Sequence, residues 1–514
     1  MSNPAPLLVV GDALLDHDID GRTERLAPDA PVPVVHGAHR ASRPGGAALA
    51  AHLAAADGRE VTLVTALGDD EASHALRSLL RGRVHLVELP LRGALSQKSR
   101  VMAAGHPLLR IDDGEGHAAG ATDEARNAIR DARAILVADY GRGTAEVLRP
   151  ALARAAGRVP LVWDPHPRGA APVRGARLVT PSAAEARHFA AALPDNATPP
   201  REPVRLTADA PDENAPRQAD GAGPGEALRT AARDARALVK AWHVTSVAVT
   251  LADRGALLSH GEAPLLLPAP WQAGGDPCGA GDRFAATAAG QLADGALPED
   301  TVQAAVHAAT HYVALGGARA LTAGLGREDG PAADLTATDL EPGASAAEVV
   351  ARVKAAGGTV VAAGGCFDLV HAGHVSLLQA ARRTGDCLVV CVNSDASVRR
   401  RKGEGRPIVP AADRVRVLRA LECVDAVAVF DEDTPERLLG DLRPHIWVKG
   451  GDYALAELPE AALLESWGGQ VVLLPYLDGR SSTSLVTRAT AHRLADTGED
   501  PERPGEALTA RTGR

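Results

Sequence analysis

Short apolar runs of strand length recur along the chain, separated by alanine-rich stretches of helical length. The first series is "LLVV" (7–10), "VTLVT" (61–65), "AILVA" (134–138), "LVW" (161–163), "RLVT" (177–180) and "VAVTL" (247–251). Runs that are apolar throughout belong to strands buried on both faces, and the helical stretches supply the crossovers of a mainly parallel sheet. Most runs end in Asp, Gly or Pro, as strands do when they deliver a loop to a ligand crevice. A second series follows: "TVVAA" (359–363), "CLVVCV" (387–392), "AVAVF" (426–430), "IWVK" (446–449) and "VVLLP" (471–475). The fold class this predicts is α/β: a larger domain with helices on both sheet faces, then a smaller doubly wound, Rossmann-like domain.

At 514 residues the chain exceeds one ordinary core. The expected division is a first domain over 1–322, a Gly/Ala/Asp/Pro-rich linker over 323–345, a second domain over 346–496 and a disordered tail over 497–514. Residues 192–226 are rich in Pro, Asp and Ala without periodicity and read as a disordered insertion. The halves carry complete motif sets, so residues 346–514 are expected to fold alone. A formal net charge of −10 argues against nucleic acid as a partner. Five cysteines without a CxxC pair argue against a disulfide framework. The start "MSNPAPLLVVGD" has no basic leader, and no stretch approaches the roughly 20 apolar residues of a membrane span. A cytoplasmic protein without a membrane partner is expected.

Two stretches carry chemistry. In "GGDPCGAGDRFAATAAGQL" (274–292), glycines precede an Ala-rich helix, so that backbone N–H groups and the positive helix end can meet phosphate. Asp282 on the first turn is either a helix cap or a general base that takes a proton from an attacking hydroxyl. In "GGCFDLVHAGH" (364–374) a strand ends in a turn and a helix begins close to His371. His371 and His374 then share one face of the first turn and, with the helix start, cradle a triphosphate. A zinc pair lacks a third ligand at a recognisable spacing. "DIDGRT" (18–23) approaches a phosphatase signature but has one residue too many before Thr23.

The first half resembles the ribokinase-type carbohydrate kinases, in particular the heptose 7-phosphate kinase branch. The resemblance rests on "VVGDALLD" (9–16), "APDAPVPVV" (27–35), "RPGGAA" (43–48), "LLRIDD" (108–113), "ADYGRG" (138–143) and "TPSAAE" (180–185), in that order and over roughly 5–322. It implies a ribokinase-like fold, with Asp12, Gly45 and Gly46 lining the sugar pocket and Lys98 and Arg110 near the sugar phosphate. It further implies an anion hole at Gly279, Ala280 and Gly281, nucleotide contacts at Thr250 and Gly255, magnesium near Glu185, and Asp282 as base. The chain departs from that family at Leu49, His166, Ser182 and His307, where Asn, Lys, Asn and Asn are usual.

The second half resembles the HxGH nucleotidyltransferases, closest to heptose 1-phosphate adenylyltransferases over 356–490. "VNSDASVRRRKGEGRPIVPAADRVRVLRALECVDAVAVFDEDTPERLL" (392–439), "VKGGDY" (448–453) and "GRSSTSLV" (479–486) carry it beside the histidines. The resemblance implies that His371, His374 and Lys449 are catalytic, with nucleotide contacts from Gly364, Phe367, Asp368, Gly373, Lys402, Arg406, Ser482 and Thr483. Asp452 would serve substrate and metal. The implied protein is bifunctional: ATP with Mg²⁺ phosphorylates heptose 7-phosphate at C1, and a second ATP adenylylates heptose 1-phosphate, releasing pyrophosphate. A separate phosphatase must act between the steps, and a homodimer is one candidate assembly. Two alternatives are an adenylyltransferase with a degenerate kinase half, and a cytidylyltransferase acting on another polyol or sugar phosphate.

Overall fold

The computed structural model describes residues 4–27, 30, 32–103, 106–193, 224–261, 264–321, 345–450 and 460–474. The expected linker except Ser345, the tail, most of the expected insertion, and Asp452, Ser482 and Thr483 lie outside these residues. Of the expected insertion, 224–226 open the helix Pro224–Trp242.

The fold is α/β, as the apolar runs predict. Among the described residues, fifteen strands form one sheet, and four more form a second. The first series runs parallel in the order Leu178–Val179, Leu161–Asp164, Ile135–Ala138, Leu7–Gly11, Val61–Leu67 and His85–Arg92. All four residues of Leu7–Val10 and all four of Ile135–Ala138 are buried, which is why these runs carry no polar alternation. Beyond Leu178–Val179 come Val247–Thr250, then an antiparallel pair, Ala256–Ser259 and Leu265–Leu267.

The second series runs parallel in the order Ala426–Phe430, Cys387–Asn393, Val360–Gly365, Ile446–Gly450 and Gln470–Leu474. Its last strand pairs with the first series, Leu473 opposite Leu265, so the two sheets are continuous. One buried cluster accordingly joins Leu257 and Leu266 to Val361, Val472 and Leu474. Arg383 Nη1, just past the helix Ala372–Arg382, donates to Ala269 O of the first half at 3.4 Å. Halves that fold independently are thus not what the packing favours: each covers the other's sheet edge.

The four-stranded sheet was not foreseen. Ala13–Leu26, Pro33–Gly46, Gln97–Ala103 and His106–Asp113 form a lid beside the C-terminal strand ends. Buried Arg43 ties its strands together, donating to Asp16 Oδ2 at 2.6 Å and Asp18 Oδ2 at 2.9 Å. The same guanidinium reaches Cys278 Sγ at 3.5 Å, joining the lid to the turn before Gly279.

Candidate active sites

The first site gathers where the buried strands end. Asp12 follows Leu7–Gly11, and its carboxylate is fully engaged. Oδ2 accepts the N–H groups of Tyr140 (3.0 Å) and Arg142 (2.8 Å), and Oδ1 accepts that of Thr144 (3.0 Å). Through these bonds Asp12, expected in the sugar pocket, shapes the loop 139–143 after Ile135–Ala138. That loop aims Tyr140 at Asp282: its hydroxyl donates to Asp282 Oδ1 at 2.7 Å. Asp282 is buried on the first turn of the helix Ala280–Ala293. The Tyr140 ring stacks on His166 at 6.0 Å, and Lys98 Nζ lies 5.7 Å from its centroid. Beneath the loop, burial lifts the Asp139 carboxyl to about 6; the Gly141 N–H opposes this and the Asp12 charge adds to it.

Gly279 caps the Ala280–Ala293 helix at φ 79°, a left-handed conformation, and a Cβ there would lie 2.7 Å from both Leu49 and the Tyr312 hydroxyl. Glycine is required for backbone and for space. Ala280 and Gly281 continue into the first turn, so the three residues expected to form an anion hole lie at a helix start. Gly45 and Gly46 end the lid strand Pro33–Gly46. Thr250 ends its strand bridged to Ser182, while Gly255 closes the turn Ala252–Arg254.

Beside Tyr140 a small cleft is lined by Lys98, Arg142 and Arg168 together with Asp112 and Asp113. Lys98 comes from the lid, whereas Arg142 and Arg168 come from loops following adjacent strands. Burial lowers the Arg142 pKa, and the like charge of Arg168 lowers it further. Two guanidiniums repelling across a cleft suit an anion between them. Arg110, expected here, pairs with Asp112 at 2.7 Å.

Glu185, expected near magnesium, caps its own helix. Its Oε2 accepts the Ser182 N–H at 2.7 Å while Ser182 Oγ accepts the Glu185 N–H, a capping box on Ala183–Ala191. Among the described residues no group of three His, Cys, Asp or Glu side chains is arranged to hold a metal. The other departures from the family pattern are accommodated. Leu49 sits in an apolar cluster with Leu53, Cys278, Tyr312 and Ala318. His166 is buried, its Nδ1 accepting the Arg168 N–H at 3.1 Å. His307 is exposed on Pro298–Ala314, 3.1 Å from Gln303.

At the second site His371 is the N-cap of Ala372–Arg382, as the spacing predicts, and its ring lies 3.9 Å from that of His374. Burial lowers the His374 pKa to about 4, with His371 and Lys402 adding to the effect. His374 is therefore neutral near pH 7, a hydrogen-bond donor and not a fixed cation. Gly373 is buried in the same turn. Lys402 Nζ lies 2.9 Å from Cys366 Sγ, on the loop that leads to the histidines.

Several residues expected to contact the nucleotide make structural contacts within the fold. Phe367 is 2% exposed, packs in the core and touches the His374 ring at 5.2 Å. Asp368 accepts Arg406 Nε at 2.5 Å and the N–H groups of Ile408 (2.7 Å) and Val409 (3.0 Å), so it anchors the basic loop. Gly364 is a glycine because a Cβ would lie 2.3 Å from the Trp447 ring. Lys449 Nζ pairs with buried Glu460 at 2.7 Å. Sequence reasoning missed Glu460, Tyr140, Arg142, Arg168 and Arg414. Buried Arg414 ties Cys366 O, Asn393 O, Val409 O and Asp395 together at 2.6–2.9 Å.

A buried carboxylate at a glycine-capped helix start, and a paired-histidine helix start on a second Rossmann-like unit, make this a bifunctional transferase: a carbohydrate kinase joined to a nucleotidyltransferase. Family models agree, matching the pfkB family carbohydrate kinases over 219–323 and the cytidylyltransferase-like family over 362–487. The bifunctional protein HldE of Streptomyces coelicolor is 62% identical over 94% of this chain and 96% of its own length. That of Pseudomonas aeruginosa is 35% identical over 94% and 97%. The chain belongs to the HldE family of bifunctional proteins. Among solved structures, it is similar to phosphofructokinase-2 of Escherichia coli, with 19% identity and a TM-score of 0.44 over 62% of this chain and 96% of that one. No helix among the described residues is long and apolar enough to cross a membrane.

Proposed function

We propose that the protein makes a nucleotide-activated heptose in two ATP-consuming reactions. In the first, Asp282 takes the proton from the C1 hydroxyl of heptose 7-phosphate as that oxygen attacks the γ-phosphorus of ATP; ADP leaves and the 1,7-bisphosphate forms. The helix start at Gly279–Gly281 faces the transferring phosphoryl group. Lys98, Arg142 and Arg168 receive the 7-phosphate beside Tyr140. In the second, the phosphate of heptose 1-phosphate attacks the α-phosphorus of ATP and pyrophosphate leaves. His371, His374, Lys402 and Lys449 neutralise and position the triphosphate, and no side-chain nucleophile is required. Magnesium would accompany ATP in both reactions, held largely by phosphate oxygens, which suits its preference for oxygen ligands.

The observation that carries this reading is that one tyrosine, Tyr140, both bonds buried Asp282 and lines a cleft with Lys98, Arg142 and Arg168, an arrangement that fits a sugar with a distal phosphate. A separate phosphatase removes the 7-phosphate between the steps, and both reactions run in the cytoplasm, where ATP is supplied. A homodimer through the lid is favoured by exposed Leu109 and Ile111 on its edge strand. The test is phosphorylation of heptose 7-phosphate by Asp282→Asn and adenylylation of heptose 1-phosphate by His374→Ala, each against the wild type. Each substitution should abolish its own reaction and spare the other.

A further inference from the structure

Tyr312 is the outlier of the first site. It projects from the helix Pro298–Ala314 and is 8% exposed. Its hydroxyl oxygen is buried and has no hydrogen-bond partner among the described residues. An unsatisfied buried hydroxyl carries a desolvation cost that folding alone gives no reason to keep. Its ring packs in a small apolar cluster with Leu49, Leu53, Cys278 and Ala318.

Its position answers why it is there. A Cβ on Gly279 would lie 2.7 Å from the Tyr312 hydroxyl, so that oxygen sits against the residue that caps the Ala280–Ala293 helix. Asp282 and Arg43 are among the charges it feels, although burial is the main influence on it. The helix start offers N–H donors to an anion, and a phenol beside it is one more donor in a water-poor setting.

We propose that the Tyr312 hydroxyl is a fourth-wall donor of the anion hole, hydrogen-bonding a non-bridging oxygen of the phosphoryl group in transit. The sugar oxygen forms its bond to the γ-phosphorus, the bond from that phosphorus to the β–γ bridging oxygen breaks, and Asp282 takes the sugar proton. Tyr312 keeps its own proton throughout and stabilises charge on the passing group. This rests on Asp282 being the kinase base but not on which sugar phosphate is used.

The experiment is Tyr312→Phe in the full-length chain. Removing one such donor should lower kcat for phosphorylation by about 10²-fold, with KM for ATP changing far less. ADP–aluminium fluoride with bound sugar phosphate, which mimics the transferring group, should bind more weakly by a similar factor, while ADP alone binds as before. The thermal midpoint should hold or rise, because the variant loses an unsatisfied buried hydroxyl. A purely structural tyrosine predicts the reverse pattern: a lower midpoint and a kcat within about twofold of wild type. That result, or unaltered ADP–aluminium fluoride affinity, overturns the proposal. If wild-type protein phosphorylates some other sugar phosphate instead, the heptose assignment fails, but the comparison of Tyr312→Phe on that substrate still decides this point.

Discussion

His374 should take up a proton when ATP binds at the second site. In the free protein, burial and the neighbouring His371 and Lys402 hold its pKa near 4 against an ordinary 6.5. At 1.36 kcal/mol per pH unit this gap is worth at most about 3 kcal/mol, and solvent around the partly exposed ring reduces it to about 1–2 kcal/mol. The sign follows from proton counting: between pH 4 and 6.5 the unfolded chain binds more protons, so stability rises with pH across that window and is lost as pH falls through it. A triphosphate laid against the ring reverses the balance, because nearby negative charge favours imidazolium. Calorimetric titration with ATP at pH 6, in two buffers of different ionisation enthalpy, reads the uptake directly. Wild type should absorb close to one proton more than His374→Gln, whose first site still binds ATP and cancels in the comparison. Equal buffer dependence in the two proteins, with equal binding stoichiometry, would refute the reasoning.

Replacing both Arg142 and Arg168 by Gln should raise KM for a phosphorylated sugar by about 10²-fold or more, since each charge-assisted hydrogen bond contributes roughly 1.5–3 kcal/mol; steady-state kinetics with and without competing inorganic phosphate measures it. Asp139→Asn should stabilise the chain by about 1–3 kcal/mol at pH 8, because a carboxyl raised to about 6 is buried as an anion there. The gain should vanish near pH 4 in a thermal-melt series. Fragments 1–344 and 345–514 should each aggregate when expressed alone and associate when co-expressed, because separation bares the strand edges Leu265–Leu267 and Gln470–Leu474; size-exclusion chromatography reports both outcomes.

The apolar runs that announced the parallel strands did so because those strands are buried on both faces, where nothing polar is tolerated. The lid escaped notice for the opposite reason. Its strands, such as "DHDIDGRTER" within Ala13–Leu26, are polar on a solvent face and at their ion pairs, so they carry no apolar run. The junction between the two sheets was equally hidden: Leu265 and Leu473 read as ordinary strand residues, and pairing across some two hundred residues leaves no local mark. At the sites, Asp282, His371 and His374 were legible because each stands beside a glycine-marked helix start. Tyr140 and Arg414 were not, because their work lies in what they touch across the fold. Asp12 and Asp368 were legible as positions but not as roles. Both hold backbone N–H groups of neighbouring loops, contacts that the sequence alone does not reveal.

The most direct test of the central claim is mass spectrometry of the products formed by purified protein from heptose 7-phosphate, ATP and magnesium, with and without an added sugar-bisphosphate phosphatase. Without the phosphatase, the heptose 1,7-bisphosphate and ADP should accumulate with no nucleotide sugar. With it, an ADP-linked heptose and pyrophosphate should appear, and Asp282→Asn should stop the sequence at its first step. Unchanged heptose 7-phosphate in the wild-type reaction, alongside normal adenylylation of supplied heptose 1-phosphate, would contradict the account by leaving the first site without its reaction.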